Sequence, residues 1–497
     1  MAPGSIRFSL HRLPVLLVAG LATFGLASVR CSADISHSDQ PEQSDQIEQP
    51  VSNGPSLSEN ISDQFEALKP LVDAKQYDAA LSLLASMAAL VADPNSYQGG
   101  YDMAVILDTK AKTLVEADRL GEAIAPWEET LSLVQRHPSY FYKHQVTDIV
   151  HYLAQIYSQL ATGIKLTPGP DLAERQALQR DDFNKALSYM QRWLGEVTTA
   201  TQDDQLFYAD MLFNLAASSS GDDAAKLLKE SEAQAEKGLR MAVNPHDEFY
   251  YLVAAACEQN GDLERAADYL EILVRRNPKN REYSPQLMSI YLNLAASPKE
   301  KLDSRSYYLR AINAIERAQA HGIMNDQKTN LDLVTIYYDM NQYGQATELL
   351  SAGLKSGAIN PTESNWQILA YSYQQINQND KAIETYKDAA ELYPDDGQLD
   401  YSIALIYYQQ EDLPNAYTYF SSAAKKGHLS SLYGVYIQLA SIGFEINKLD
   451  EALAACDAAA QLPEAAKDAQ LPQLRSAIED KIKEQAKIKT AGSATPL

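Results

Sequence analysis

The stretch that decides the fold is residues 363–396, ESNWQILAYSYQQINQNDKAIETYKDAAELYPDD. Over residues 366–376 the apolar side chains recur at i, i+3, i+4 and i+7, which is typical of one amphipathic helix. The polar run 377–380 predicts a turn, and a second helix is expected to end near Pro394, because proline cannot continue a helix. That second helix is marked by small and aromatic residues at Ala382, Tyr386 and Ala389.

This hairpin pattern resembles the tetratricopeptide repeat (TPR) family. The family's positions 4, 7, 8, 11, 20, 24, 27 and 32 are filled here by Trp366, Leu369, Ala370, Tyr373, Ala382, Tyr386, Ala389 and Pro394. The next unit repeats the pattern, since Ala416 stands 34 positions after Ala382, which is the TPR period. The resemblance implies an all-α fold, a right-handed superhelical solenoid of roughly ten helical hairpins.

Further units extend the pattern in both directions. They are marked by the pairs Ala254 and Ala266, Leu333 and Ala346, Ala404 and Ala416, and Ala440 and Ala452. Toward the N-terminus the hairpins become degenerate and carry insertions at residues 160–182 and 295–306, whose role the sequence does not reveal.

The composition limits the classes of partner. Charged residues make up 22% of the 497 residues and hydrophobic residues 45%, which fits a folded chain. The formal net charge of -24 disfavours binding to nucleic acid, whose phosphates require lysine and arginine, and to anionic membrane surfaces.

Residues 1–33 have the order of a secretory signal peptide. A basic start is followed by the apolar run 13–26 and then by small residues. A retained N-terminal anchor is one alternative, and a lipoprotein acylated at Cys31 is another, although Arg30 fits that motif poorly. No later segment approaches a membrane helix in length and apolarity, so we expect an exported, periplasmic protein without a membrane span.

The predicted organisation has six parts. They are a signal peptide (1–33), a disordered linker (34–60), divergent hairpins with insertions (61–245), a TPR array (246–464), a C-terminal capping helix (465–489) and a disordered tail (490–497). Cys257 and Cys456 fall at core positions of distant repeats, so we expect two buried thiols rather than a disulfide bond.

The sequence contains no recognisable catalytic or nucleotide-binding motif. His144 and His151 are seven positions apart on a predicted helix, but without a third ligand they are interpreted as surface polar residues rather than as a metal site. We therefore predict no catalytic residues, no cofactor, no metal, and a protein that is not an enzyme.

Function is expected in the groove that the first helices of TPR hairpins line. The candidate partner-binding residues are Tyr338, Gln367, Tyr371, Gln374, Tyr401 and Tyr408. Glutamine amides can bond to the backbone of an extended peptide, and tyrosine rings can cover its side chains. The alternative is that these tyrosines pack between helices.

Residues 325–475 resemble the TPR proteins that accompany TonB, ExbB and ExbD energy-transduction systems in Gram-negative bacteria. The similarity is carried by the run from NWQILAYSYQQ to FSSAAKKG and by INKLDEALAACDAAAQLPEAAKDAQ. The resemblance implies a non-catalytic periplasmic scaffold whose partners are components of such a transport system. The alternatives are an accessory or assembly factor for polysaccharide or outer-membrane protein export, and an enzyme with its site in residues 95–245.

Overall fold

A computed structural model describes residues 55–296 and 304–492. The predicted signal peptide, most of the predicted linker and residues 297–303 of the second insertion lie outside this part. Within it every regular element is a helix, so the predicted all-α fold is confirmed. The chain divides into two compact units, Met1–Val243 and Asn244–Leu497.

The N-terminal unit consists of four hairpins, because each odd-numbered helix packs on the helix that follows it. The eight helices are α1 (Glu59–Asp73), α2 (Tyr77–Leu90), α3 (Tyr97–Glu116), α4 (Leu120–Arg136), α5 (Lys143–Gly163), α6 (Leu172–Glu196), α7 (Gln202–Ala217) and α8 (Gly221–Leu239).

The C-terminal unit continues with six hairpins and a closing helix. The helices are α9 (Asp247–Gln259), α10 (Leu263–Arg276), α11 (Tyr283–Ala296), α12 (Ser304–Ala320), α13 (Gln327–Asp339), α14 (Tyr343–Ser356), α15 (Glu363–Gln375), α16 (Asn379–Leu392), α17 (Gly397–Gln409), α18 (Leu413–Lys426), α19 (Leu432–Glu445), α20 (Leu449–Ala460), a short 3₁₀ helix (Pro463–Lys467) and α21 (Leu471–Gly492). The described residues thus form ten hairpins, in agreement with the roughly ten predicted.

One turn recurs between the two helices of a hairpin. A single residue takes a positive φ, and the amide after it donates to a carbonyl five residues back, which closes the end of the first helix. At Glu411 φ is 61°, and Asp412 N lies 2.9 Å from Tyr407 O. The other residues in this conformation are Lys75, Asp118, Gly261, Asn341, Asn377 and Asn447.

Small residues allow the two helices of each hairpin to approach closely. In the hairpin α15–α16, Ala370 and Ala382 are both fully buried, and Tyr386 fills the space beside them. In the N-terminal unit the largest fully buried side chain is Trp127, whose indole N–H donates to Asp108 Oδ1 at 2.9 Å. Cys257 on α9 and Cys456 on α20 are both buried, as their repeat positions predict.

Two predicted boundaries are wrong. The linker does not extend to residue 60, because Ser58 bonds to both carboxylate oxygens of Asp102 and α1 begins at Glu59. The closing helix begins at Leu471 rather than at residue 465. The Asp468 carboxylate accepts from the Gln470 amide at 2.8 Å and from the Tyr433 hydroxyl at 2.7 Å, which interrupts the helical path.

Helix also extends into the first insertion and into the predicted tail. Much of the insertion at 160–182 is helix, since α5 runs to Gly163 and α6 starts at Leu172. The predicted disordered tail from residue 490 is helical as far as Gly492. None of the helices in the described ranges is both long and apolar enough to cross a bilayer.

The recurring turn predicts that Glu411→Gly stabilises the protein. Glu411 is exposed, and glycine adopts a positive φ without the steric cost that a Cβ brings. We expect the free energy of unfolding to rise by about 0.5 to 1 kcal/mol, measured by urea denaturation followed by circular dichroism. The control Glu348→Gly, at an exposed interior position of α14, should lower it by about 1 kcal/mol. A lower stability for Glu411→Gly would contradict this account of the turn.

Candidate partner-binding groove

The predicted groove residues all lie on first helices of consecutive hairpins in the C-terminal unit. Tyr338 is on α13, three lie on α15 (Gln367, Tyr371 and Gln374), and Tyr401 and Tyr408 are on α17. The structure brings some of them together and separates others. Their role in binding a partner stays a prediction.

Tyr338 and Tyr371 meet between two neighbouring hairpins, and a third ring joins them. The centroids of Tyr338 and Tyr371 are 5.9 Å apart, with an interplanar angle of 50°. Tyr343 stands edge-on to both, 5.5 Å from Tyr338 and 6.2 Å from Tyr371. We call Tyr338, Tyr343 and Tyr371 the tyrosine cluster. All three rings are half-buried, so part of each remains open to solvent.

Sequence reasoning missed Tyr343 because it considered only the first helix of each hairpin. Tyr343 is the first residue of α14, and its hydroxyl donates to the Asn341 side-chain oxygen at 2.7 Å. Asn341 is the turn residue with positive φ, so the turn itself orients this ring. The sequence feature that could have indicated Tyr343 is its place two residues after Asn341 in the turn.

The tyrosine cluster lies in a region of reduced solvation beside an acid. Burial raises the pKa of the Tyr338 phenol well above its ordinary value, and the neighbouring Tyr371 adds to the rise. The pKa of Tyr343 is raised by burial and further by Tyr371 and Asp339. Asp339 follows Tyr338 as the last residue of α13, and burial by nearby protein raises the pKa of its carboxyl even though solvent reaches it.

The other predicted groove residues differ in how far their side chains are exposed. Tyr401 stands edge-on to the fully buried Phe420 at 5.7 Å, so this ring serves packing at least in part. Tyr408 is 40% exposed at the end of α17. The Gln367 amide donates to Glu363 at 2.8 Å, and Gln374 is half-buried on the last turn of α15.

A second polar site lies in the N-terminal unit, where the interpretation of His151 as a surface residue is wrong. Only 20% of its side chain is exposed, because the imidazole stacks on Trp193 with centroids 4.4 Å apart. Its Nε2 lies 3.5 Å from Asp204 Oδ1, while burial lowers the pKa of the imidazole. The described residues contain no group of three side chains placed to hold a metal ion.

Asp210 on α7 is a half-buried acid in the same unit, and the surrounding protein removes much of the solvation of its carboxyl. Burial raises the pKa of its carboxyl to about 6, while a hydrogen bond from Asn214 acts in the opposite direction. The Asn214 amide donates to Asp210 Oδ2 at 3.0 Å. Nothing in the sequence marked this residue, since it lies in a hairpin with a degenerate repeat pattern.

Comparison with known families agrees with the hairpin architecture. Residues 215–281 and 369–428 match the model of the tetratricopeptide repeat. Together with the fold, these matches show repeats of the TPR type in these two segments of an all-helical chain of hairpins.

Solved structures with similarity to the chain include MamA and a subunit assembly of the APC/C. MamA from Desulfovibrio magneticus RS-1, from residue 41 to its end, is 18% identical, with 37% of this chain and 97% of that chain covered and a TM-score of 0.27. The Cut9–Hcn1 hetero-tetramer of the APC/C is 12% identical, with 86% of this chain and 91% of that chain covered and a TM-score of 0.24. No curated protein matches the chain.

Asp210→Asn is predicted to stabilise the protein in a pH-dependent way. The folded pKa of about 6 lies above the ordinary 3.8, so Asp210 favours the fold fully below pH 3.8 and loses that contribution as the pH rises through 6. Asparagine carries no charge and can still accept the Asn214 bond. We expect a gain of about 1 to 3 kcal/mol at about pH 7.5 and a smaller gain near pH 5, measured by urea denaturation.

The matched control is Asp203→Asn, which removes an exposed carboxylate from the first turn of the same helix. It should give no gain at either pH, because an acid there interacts favourably with the helix dipole. Equal gains for Asp210→Asn at both pH values would contradict the assignment of a desolvated carboxyl.

Proposed function

We propose that the chain is a non-catalytic periplasmic scaffold that binds an extended protein segment in the groove of its C-terminal unit. The observation that supports this most directly is the tyrosine cluster. It joins two successive hairpins, includes Tyr338 and Tyr371 from the predicted groove positions, and leaves three aromatic rings partly open. Aromatic rings of this kind supply large contact areas at low entropic cost in protein recognition.

Binding in this groove requires little rearrangement of the scaffold. The first helices α13, α15 and α17 are each fixed by their partner helix and by the turn that follows, so their side chains hold their spacing. A partner segment that is already extended would contact the rings of Tyr371 and Tyr408 in adjacent repeats. Preorganisation of this kind lowers the entropic cost of association.

The compartment and the partner class are proposed from the sequence. The order of charges and apolar residues in 1–33 supports export to the periplasm. The resemblance of 325–475 to TPR proteins of TonB, ExbB and ExbD systems supports a role as a component of an envelope transport complex. The absence of recognised catalytic motifs in the sequence supports a binding role rather than an enzymatic one.

Site-specific crosslinking in the native cell envelope tests this proposal. A photoreactive benzoyl-phenylalanine would replace Tyr408, which is 40% exposed on α17, and adducts would be identified by mass spectrometry. The matched control carries the same group at Leu392, which is 55% exposed at the end of a second helix. Adducts with TonB-, ExbB- or ExbD-type proteins at 408 but not at 392 would support the proposal.

Other outcomes of that experiment decide between the alternatives. Adducts with secretion or assembly machinery would retain the groove and replace the transport assignment with an accessory role in export. Equal adducts at both positions, or none, would reject the groove as the binding surface.

The double substitution of Tyr371→Ala and Tyr408→Ala is predicted to weaken recovery of the crosslinked partner. Tyr401 is left unchanged because it packs on the buried Phe420. The loss of two aromatic contacts should reduce affinity by about tenfold or more, measured by quantitative pull-down. Leu392→Ala is the control and should not change recovery. Unchanged recovery for the double variant, with normal circular dichroism, would contradict the prediction.

A further inference from the structure

The tyrosine cluster and the neighbouring Asp339 combine the chemical groups of a cation-binding site. The three centroids lie 5.5, 5.9 and 6.2 Å apart, and Tyr343 stands nearly perpendicular to the other two rings. The three rings therefore lie at the corners of a small triangle and differ in orientation. A cation seated over this triangle can lie within about 6 Å of all three centroids, which is the range of a favourable cation–π contact.

The acid beside the cluster lies where a helix disfavours it. Asp339 is the last residue of α13, and the C-terminal end of a helix carries a partial negative charge that attracts cations and repels carboxylates. The surrounding protein also removes part of its solvation and raises the pKa of its carboxyl. Its charge is felt by rings on both sides, since it raises the pKa of Tyr308 as well as that of Tyr343. A cation at this point would offset both the repulsion of the Asp339 carboxylate by the helix end and its loss of solvation.

Elsewhere the chain combines tyrosines with its own cations. Lys387 lies 5.8 Å from the centroid of Tyr419, which itself stacks on Tyr407, and Lys448 lies 4.4 Å from the centroid of Tyr417. In the part of the chain that the structure describes, no lysine or arginine lies over the tyrosine cluster and none forms an ion pair with Asp339. The cluster therefore offers to a partner the kind of contact that Tyr417 and Tyr419 make within the chain.

We propose that the tyrosine cluster and Asp339 receive an arginine side chain of the bound protein segment. This inference rests on the proposed function, because it names the chemistry by which the groove would recognise its partner. Arginine fits better than lysine, since its planar guanidinium stacks on aromatic rings while its N–H groups bond to a carboxylate. The net charge of -24 favours the approach of a basic segment.

The test uses the full chain and peptides that differ only in charge. The probe is an acetylated, amidated five-residue peptide with one arginine at its centre between serines and glutamines, and the comparison peptide carries neutral citrulline there. Binding is followed by NMR of ¹³C-labelled tyrosine rings at low salt. We expect the arginine peptide to bind at least about tenfold more tightly, and its affinity to fall as salt rises.

Substitutions test whether the tyrosine cluster and Asp339 cause the preference for arginine over citrulline. Asp339→Asn and Tyr343→Leu should each reduce the preference for arginine over citrulline to about threefold or less, whereas Tyr343→Phe keeps a ring face and should preserve it. The controls are Asp332→Asn, whose carboxylate pairs with Lys328 on the same helix, and Tyr419→Leu, whose ring already has Lys387. Neither control should change the preference.

Each outcome decides a different question. Equal binding of the two peptides, or a preference unaffected by both Asp339→Asn and Tyr343→Leu, would overturn the proposed arginine site. If crosslinking at residue 408 still captured a partner, the proposed function would stand without it. An arginine preference without any groove crosslink would retain the arginine site and reject the proposed function. Tighter binding of tetramethylammonium than of the arginine peptide would indicate a site for a free organic cation instead and overturn the proposal.

Discussion

The structure depends on one turn, in which a residue with positive φ is followed by an amide that bonds five residues back. This geometry ends the first helix and starts the second within about three residues, so it fixes how the two helices of a hairpin meet. It occurs at Lys75 and Asp118 in the N-terminal unit as well as at Asn377 and Glu411 in the C-terminal unit. Seven of the ten hairpins in the described ranges therefore share one backbone turn, even where their side chains have diverged from the repeat pattern.

The same turn builds the candidate site. Asn341 N donates to Tyr338 O at 2.9 Å, and the Asn341 side chain accepts the Tyr343 hydroxyl at 2.7 Å. One turn residue thus bonds to the backbone that carries Tyr338 and to the hydroxyl of the Tyr343 ring. Tyr371 comes from the next hairpin and completes the cluster because the repeats stack side by side. The turn at Asn341 therefore shapes both the hairpin and the candidate site.

The sequence predicted the helices and the number of hairpins because those follow from local periodicity. Ala370 and Ala382 mark a close helix contact that only small residues permit, and the structure buries both. Local pattern does not show which side chains of different hairpins meet. It grouped Tyr401 with Tyr371, although Tyr401 packs on Phe420, and it gave no sign of Tyr343. It also placed His151 on the surface, since the stacking partner Trp193 lies on the next helix of the fold.

The two acids with raised pKa values, Asp210 and Asp339, differ in what surrounds them. Asp210 has a neutral partner in Asn214, which satisfies one carboxylate oxygen without compensating the charge. The charged form of Asp210 therefore lowers the stability of the folded state. Asp339 stands at a helix end, open to solvent on one side and to aromatic rings on the other. A cation supplied by a partner can offset the cost at Asp339, because that partner can reach it. The two acids therefore differ in their exposure, since Asp210 is half-buried and Asp339 is exposed, and only Asp339 belongs to the proposed recognition site.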